Sequence, residues 1–381
     1  MNKNINELRK KIDTIDNRIG KLFEQRMAVA HEVAVSKKQS GKAVRDNKRE
    51  DEIIERILSE TTEDISGYIR PLYSTLFGLS RSYQNTVLNK GKKLSDSIKN
   101  SVQETADDFP KTAVVACQGI PGAFSQIACE EVFDEPNIMY FKNFDAVFSA
   151  VEQGLCRYGM LPVENSANGS VTQVYDLMKE RDFYIVRSLK LKVHHYLLTK
   201  KGTKVSDIKK IYSHEQALGQ CSTFLHKLDG VEFIPCENTA TAARMVSQSD
   251  DIDVAAIASR ESAKTYELEV MFANIQNAEE NYTRFICISK DMEIYDGSNK
   301  MSIMFSVPHR PGSLCEVMTR FASYDLNITK LESRPIPEKE FEFVFYFDFE
   351  GSVGKEGVLE TLDGIDGDLE QFKFLGNYWE K

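Results

Sequence analysis

An arginine stands where the rhythm of the first helix asks for an apolar residue. Ile5, Leu8, Ile12, Ile15, Ile19 and Leu22 alternate spacings of three and four; Arg26 comes next, and Val29 and Val33 resume the pattern. That spacing marks the seam of a long packed helix. An unpaired buried guanidinium costs on the order of several kcal/mol, so an anion must meet Arg26. Two partners fit: a carboxylate of the same helical bundle, or an anionic ligand in a site built into the bundle core.

The neighbouring polar residues extend the argument. Lys37 follows Arg26 by eleven positions, and at about 100° per residue the two lie roughly 20° apart around the helix, three turns along. Arg9 points about 100° away from Arg26, which suits a pocket on another helix or subunit. Past a break at Ser40-Gly41, Asp46 is placed to cap a second helix whose first turn carries Arg49 and Glu50. A third helix, about 66–88, puts Ile69, Leu72, Leu76, Leu79 and Tyr83 on one face. Ser80 and Gln84, at i and i+4, form a polar notch beside that face, and Pro71 sets the expected start near Gly67–Arg70. Cations, carboxylates and neutral hydrogen-bonders of this kind describe a pocket for a small dianion with a polar centre.

Charge is spread unevenly. The 381 residues carry a net charge of −10, yet the first ninety hold 17 Lys and Arg against 13 Asp and Glu, and the remainder 31 against 45. A mildly basic helical module suits an anionic substrate, and the acidic remainder argues against a nucleic-acid surface. The length suggests about two to three domains. Seven cysteines without a Cys-x-x-Cys read as reduced cytosolic thiols, mostly core filler. The six histidines show no metal-ligand spacing, and His194-His195 are expected on opposite sides of a strand. No apolar run reaches the ~18 residues of a membrane span, and the first residues read as a charged helix rather than a signal peptide. The expectation is a soluble, cytoplasmic protein without membrane contact.

Residues 89–111 lose the helical rhythm and read as a linker. Beyond them strands and helices alternate in an α/β pattern. Strand-like runs are Thr112–Ala116, Asn137–Phe141, Tyr158–Val163, Phe183–Leu189, Lys192–Thr199, Lys210–Ser213, Val231–Cys236, Val254–Ser259 and Phe285–Ser289. The first is followed by Cys117-Gln118-Gly119-Ile120-Pro121-Gly122-Ala123-Phe124-Ser125. As a dinucleotide-binding turn this fails, because Cys117 takes the first glycine position and no acidic residue ends the second strand. A tight strand-to-helix turn and a helix N-terminus open to a carboxylate both remain. Further polar clusters fall at strand ends, where open α/β sheets bind ligands. They are Glu164-Asn165-Ser166 with Gly169, Ser213-His214 with Gln220, Asn238-Thr239, and Asn281-Tyr282-Thr283-Arg284; singly, each also serves as a cap or turn.

After Asn299 the order is strand (Met301–Val307), helix (Ser313–Ser323), strand (Asn327–Leu331), strand (Phe341–Phe349), helix (about 355–363) and strand (Gln371–Leu375). This predicts an α+β ferredoxin-like sandwich. Pro311-Gly312 ahead of the helix either frees backbone N–H groups for an amino-acid carboxylate or simply starts a helix.

Each of the three segments resembles a known family. Leu8-Arg9, Ile12-Asp13, Arg26, Lys37, Arg45-Asp46, Arg49-Glu50, Ser80 and Gln84 together resemble the all-helical chorismate mutase domain. The resemblance implies a pericyclic conversion of chorismate to prephenate by conformer selection and charge stabilisation. Arg26, and Arg9 from the other subunit of an intertwined dimer, would grip the two carboxylates. Lys37 and Gln84 would donate to the ether oxygen, Asp46 and Glu50 would take the hydroxyl, and Arg49 and Ser80 would complete the wall.

Residues 112–290, through Leu161-Pro162-Val163-Glu164-Asn165-Ser166, Ser213-His214 and Thr283-Arg284-Phe285, resemble the prephenate dehydratase domain. That implies two α/β lobes like periplasmic solute-binding proteins, and loss of water and carbon dioxide from prephenate to give phenylpyruvate in the cleft. Thr283 would hydrogen-bond or protonate the leaving hydroxyl, with Glu164 a candidate for its polarising neighbour, Arg284 would bind the side-chain carboxylate, and Asn165, Ser166, Ser213 and Gln220 would form the wall. His214 is either a general acid or, by preference, a structural hydrogen-bonder. Finally, His309–Cys315 and Glu332-Ser333-Arg334-Pro335 resemble the ACT regulatory domain. Pro311, Gly312, Ser313 and Leu314 would hold L-phenylalanine where two such domains meet, and Glu332–Pro335 would brace that interface.

The expected organisation is an all-α mutase domain at 1–90, a linker at 91–111, a two-lobed dehydratase domain at 112–292 and an ACT domain at 299–381. It acts as a homodimer or tetramer on small molecules, without metal or cofactor. One rival is a mutase fused to prephenate dehydrogenase, opposed by the missing nicotinamide fingerprint. The other is a non-enzymatic amino-acid sensor with degenerate sites.

Overall fold

The computed structural model describes residues 4–41, 43–88, 92–336, 342–367, 369 and 371–381. The chain forms two compact units, residues 1–100 with 303–373 and residues 101–302 with 374–381.

In the first unit, α1 (Ile5–Ser40) opens at Asn4, whose side chain accepts from the Asn6 N–H, and closes at Gly41. Gly41 sits at φ +65°, a left-handed conformation that glycine adopts without a steric penalty. In α2 (Asn47–Ser59) the expected cap is present, with Asp46 accepting from the Arg49 N–H. The third helix departs from expectation: α3 (Glu63–Val87) begins before Gly67 and runs through Pro71. Glu63 and Asp64 in its first turn favour the earlier start. Burial of Phe77, Gly78, Ser80, Arg81, Gln84 and Asn85 further along offsets the ~3 kcal/mol cost of an interior proline.

The seam of α1 is a second departure. Ile5, Ile12, Ile15, Ile19, Leu22 and Val29 are each more than half exposed. The buried residues of α1 are Ala30 and Ala34, while Arg26 and Met27 reach Leu76 and Ser80 on α3. A helix of 36 residues is ~54 Å long and outruns its partners, so its apolar stripe stays uncovered within one chain.

The expected linker at 91–111 is largely helical, as α4 (Lys92–Glu104). Its inward positions Ser95, Ile98 and Ser101 include two serines, which hid the apolar period. Both serine positions are satisfied: the Ser95 N–H meets Asp363 Oδ1 at 3.2 Å, and Ser101 Oγ donates to Met292 O at 2.7 Å.

Residues 300–380 have the expected βαββαβ order. The strands lie as Ile328–Pro335, Phe343–Glu350, Lys300–Ser306 and Phe372–Glu380, with helices Ser313–Ser323 and Val358–Asp366; residues 300–302 and 374–380 of the last two strands belong to the second unit. Both helices pack on α3, so closely that a Cβ at Gly364 would stand 2.8 Å from Ser82 Oγ. The second strand runs past Leu331, so Glu332–Pro335 lie within it, Ser333 opposite Phe345 and Pro335 opposite Phe343.

The second unit has two lobes. In the first, strands lie in the order Tyr184–Lys192, Tyr282–Ser289, Tyr158–Asn165, Thr112–Gln118, Glu135–Phe141. The last three are parallel, and Tyr282–Ser289 runs antiparallel to both neighbours. In the second lobe the order is Glu269–Phe272, Tyr196–Thr199, Val254–Ala258, Lys210–Ser213, Glu232–Pro235. The run expected as one strand, Lys192–Thr199, breaks at Val193-His194-His195, where the chain crosses from one sheet to the other. The two histidines therefore stand at the crossing and not on a strand.

The turn at Gly119–Gly122 is held against the second lobe. The Gly122 carbonyl accepts from Ser259 Oγ at 2.7 Å and Ser262 Oγ at 2.9 Å. With φ +89°, and with a Cβ that would stand 2.9 Å from the Ser262 backbone, this position requires glycine. Among the described residues no helix is long and apolar enough to cross a membrane.

Candidate active sites

Helices α1–α3 enclose a cavity of about 620 Å³. Arg26, Lys37, Asp46, Arg49, Glu50, Ser80 and Gln84 all line it, so one helix face, one cap and one polar notch converge on a single volume. Arg9 stands apart, on the exposed first part of α1. Arg26 donates to Leu76 O at 3.2 Å and to Ser80 Oγ, and its guanidinium lies 5.6 Å from the Phe77 ring centre. Burial lowers its pKa, against the opposing pull of Tyr73 and Glu50. Lys37 Nζ reaches the Val44 carbonyl at 2.5 Å. Gln84 is 7% exposed, and its amide oxygen has no hydrogen-bond partner among the described residues. A buried polar atom in that state is a place for a ligand. Leu22, Val29, Ala30, Val33, Val44, Ile53 and Phe77 make the apolar wall.

A second cavity, of about 360 Å³, opens between the two lobes. A chain of neutral hydrogen bonds runs through it. His195 Nε2 meets Gln220 Oε1 at 2.8 Å, and Asn281 Nδ2 donates to the same oxygen at 3.1 Å. Asn165 Nδ2 donates to Asn281 Oδ1 at 2.9 Å and to Thr283 Oγ1 at 3.0 Å. The Thr283 hydroxyl thus accepts from Asn165, which leaves its own hydrogen for a ligand and makes that hydrogen more acidic. Burial drives the His195 imidazole below its ordinary range despite the Gln220 contact, favouring the neutral ring. Phe124, Phe144, Pro162, Val193 and Phe285 supply apolar walls, and no lysine or arginine lines the cavity among the described residues.

The strand geometry corrects four expected residues. A register shift between Arg284 and Phe285 skips Val163, so Thr283 pairs with Asn165 and Phe285 with Pro162, all facing the cleft. Arg284 and Glu164 pair with each other on the opposite face. The Arg284 Nε meets Glu380 Oε2 at 2.7 Å and Ser188 Oγ at 3.2 Å, and Nη2 donates to Tyr378 OH at 2.9 Å. Arg284 is therefore a buried structural cation rather than a carboxylate clamp, and Asn165 takes the polarising place assigned to Glu164. Ser166 exchanges hydrogen bonds with the backbone of Tyr282, and Ser213 Oγ donates to Ile257 O at 2.7 Å. Both hold strands together instead of forming the wall. His214 lines the cleft and caps a short helix, its Nδ1 accepting from the Gln216 N–H at 3.3 Å, as the structural alternative requires. Sequence reasoning missed His195 as a cleft residue because it was read as part of a strand.

Family models match the chain in order: chorismate mutase type II at residues 8–85, prephenate dehydratase at 115–293 and ACT domain at 301–367. The chain is 31% identical over 375 residues to the bifunctional chorismate mutase/prephenate dehydratase of Aquifex aeolicus, covering 98% of this chain and 97% of that one. The chain belongs to the bifunctional chorismate mutase/prephenate dehydratase family. It is 37% identical over 295 residues to arogenate dehydratase/prephenate dehydratase 1, chloroplastic, of Arabidopsis thaliana, over 73% of this chain and 75% of that one. A solved prephenate dehydratase from Arthrobacter aurescens, in complex with L-Phe, superposes with a TM-score of 0.64 at 27% identity, over 70% of this chain and 90% of that one.

As a member of this family the protein joins an isomerase and a lyase in one polypeptide, followed by an ACT segment. In that segment a third cavity of about 270 Å³ lies at the start of helix Ser313–Ser323, lined by His309, Arg310, Gly312, Ser313, Leu314 and Phe345 among others. Gly312 caps the helix at φ +84° without a side-chain hydrogen bond; the Ser313 N–H donates to Arg310 O at 3.3 Å, and the next N–H groups, of Leu314 and Cys315, face the end of the helix. The Ser313 hydroxyl is buried with no hydrogen-bond partner among the described residues. Gly312, Ser313 and Leu314 line this cavity, while Pro311 lines a neighbouring groove with Arg70 and Thr319. Of the strand residues, Ser333 is paired with the cavity-lining Phe345, and Glu332, Arg334 and Pro335 continue the same ladder.

Proposed function

We propose that the α1–α3 cavity converts chorismate to prephenate, that the interlobe cleft converts prephenate to phenylpyruvate, and that L-phenylalanine at the 310–314 loop restrains the flux. The observation that carries the reading is the convergence of Arg26, Lys37, Asp46, Arg49, Glu50, Ser80 and Gln84 on one cavity in a family of this activity. Arg26 holds one carboxylate of the folded dianion; Lys37 and the Gln84 amide meet the ether oxygen as it gains charge. Asp46 and Glu50 take the hydroxyl, and Arg49 and Ser80 close the wall.

The site needs a second copy of the chain. Arg9 is remote from the cavity of its own chain, and the uncovered stripe Ile12, Ile15, Ile19 and Leu22 on the same helix is the face a second copy would bury. Such a homodimer, alone or paired into a tetramer, brings the partner's arginine to the second carboxylate.

In the cleft, the ring carboxylate leaves as carbon dioxide. Its bonding electrons complete the aromatic ring as the para C–O bond breaks toward hydroxide, and Thr283 hydrogen-bonds that departing oxygen. Substrate carboxylates are met by the backbone N–H groups of Phe124 and Ser125, in the first turn of a helix whose cap, Ala123, makes no side-chain bond. Seven free thiols suit a cytoplasmic enzyme. One assay tests the whole reading: following chorismate through to phenylpyruvate, with and without L-phenylalanine. A chain that consumes neither chorismate nor prephenate would favour the sensor reading instead.

A further inference from the structure

Arg81 has no role in the scheme above. It stands on α3 between Ser80 and Gln84, is 3% exposed, and borders the mutase cavity. One of its amino nitrogens meets Glu50 Oε1 at 2.5 Å, and the other meets Glu316 Oε2 at 2.7 Å. Glu50 belongs to the cavity, whereas Glu316 lies in the first turn of helix Ser313–Ser323 and is absent from that cavity's lining. The Glu316 carboxylate also takes both its contacts with Arg310 Nη2, at 2.9 and 3.2 Å. A row of alternating charges therefore runs Arg310–Glu316–Arg81–Glu50, from the effector loop to the mutase cavity.

The chemistry of the junction is specific. A guanidinium is a rigid planar fork, so a carboxylate on one arm restricts how the other arm can turn. With its side chain almost fully buried, Arg81 is little screened by salt. Glu50 is a flexible side chain facing Arg26, Lys37 and Arg49 across the cavity. Without Arg81 those cations compete for it, and it can collapse onto them in place of the substrate.

We propose that Arg81 is a positioning residue of the mutase, holding Glu50 in place for the substrate hydroxyl, and that Glu316 in turn sets Arg81 and so ties the mutase geometry to the effector loop. The inference rests on the reading of the cavity as the mutase site and deepens it.

The test is steady-state kinetics of both reactions in the full-length chain for Arg81→Met, Arg81→Lys, Glu316→Gln and the double variant Arg81→Met/Glu316→Gln. Arg81→Met should raise the chorismate KM about tenfold or more with a smaller fall in kcat, because what it removes acts mainly on binding. Arg81→Lys should recover part of the loss. Glu316→Gln should raise the same KM about threefold and add nothing in the Arg81→Met background, since it acts through Arg81. Prephenate turnover should be unchanged in all four, and far-UV circular dichroism melts report whether the helical unit that carries the substitutions is folded. An unchanged KM in Arg81→Met, or a Glu316→Gln effect that persists in full in the double variant, overturns the proposal. Should Arg81→Met fail to fold, the isosteric Glu316→Gln decides alone, and an unchanged chorismate KM overturns it. Glu50→Gln separates the two levels: if it leaves the chorismate KM untouched, the assignment of the cavity has failed; if it raises KM while the Arg81 and Glu316 variants do not, only the positioning role has.

Discussion

On the proposed reading, the α1–α3 cavity and the interlobe cleft act on related dianions with opposite equipment. Arg26, Lys37, Arg49 and Arg81 border the first, whereas side chains lining the second include no lysine or arginine among the described residues. The reactions account for the contrast. In the rearrangement both carboxylates survive, so cations that hold them serve ground state and transition state alike, and placing one at the ether oxygen adds selective stabilisation. In the dehydration the ring carboxylate must surrender its charge. A guanidinium on it would stabilise the ground state more than the transition state and slow the loss of carbon dioxide. On that reading neutral amides, hydroxyls and the neutral His195 ring would orient the substrate without that penalty. On the proposed reading the two sites also differ in completeness: the cleft would be assembled within one chain, and the cavity would take Arg9 from another.

The largest break in this comparison should come from Arg26→Ala. Mutase kcat/KM should fall by about 10²–10³-fold or more, the usual cost of removing a preorganised charge partner, while turnover of supplied prephenate is unchanged. Near-normal mutase turnover would make Arg26 a structural cation serving Ser80 and the Leu76 carbonyl. The counterpart in the cleft is Thr283→Ala, expected to lower dehydratase kcat by about 10²-fold with a smaller change in KM, because aid to a departing hydroxide is felt in the transition state. Thr283→Ser should keep part of the activity, and Asn165→Ala should cost about tenfold through loss of the polarising bond. A raised KM with unchanged kcat in Thr283→Ala would make it a binding residue and return His214 to consideration.

The contrast also predicts different responses to salt. Raising ionic strength from about 0.1 M to about 1 M shortens the screening length from about 10 Å to about 3 Å. The chorismate KM should rise several-fold over that range, while the prephenate KM, set by N–H groups and amides within a cleft, should move far less. Equal salt responses of the two reactions would sink the idea that one site binds by charge and the other without it.

Legibility in the sequence followed the same divide. The mutase residues were readable because a helix places them by a fixed period, and an arginine in an apolar seam announces itself. The seam misled only in what covers it, since periodicity marks an apolar face without naming its partner. The α/β order and the Thr283 strand were legible, but the faces were not. A single skipped residue, Val163, decides that Asn165 rather than Glu164 meets Thr283, and bulges leave no mark in an alternating pattern. α4 was hidden by Ser95 and Ser101 in its buried stripe, because hydroxyls satisfied by distant partners look like linker composition. The Glu316–Arg81 pair joins residues more than two hundred positions apart, and no local pattern could connect them.

The smallest effect, and a check on the corrected role of Arg284, lies in the acid stability of the second unit. Arg284 and Lys300 converge on Glu380, whose carboxyl burial alone would push upward; those two cations and Lys190 instead hold it at about 2. The folded-state value is thus below the ordinary 4.5, and unfolding takes up a proton between the two. The contribution is complete above about pH 4.5 and is lost as pH falls through about 2. Glu380→Gln should therefore lower Tm at neutral pH by several degrees, since it leaves a buried guanidinium and ammonium without their carboxylate. Below pH 4.5 its stability should decline less steeply than that of the parent chain, and the two curves should converge toward pH 2. Thermal melts across that range, read by loss of dehydratase activity after recovery at neutral pH, make the comparison directly. Parallel curves would mean that the Arg284 cluster does not stabilise the fold. The same cluster shows why cutting the chain before its last strand is a poor way to isolate the dehydratase: residues 374–381 belong to that unit, and their loss would strand Arg284 in its interior. On the proposed reading, a substitution at Ser313 should weaken L-phenylalanine binding while sparing Glu380, which is the cleaner way to separate regulation from turnover.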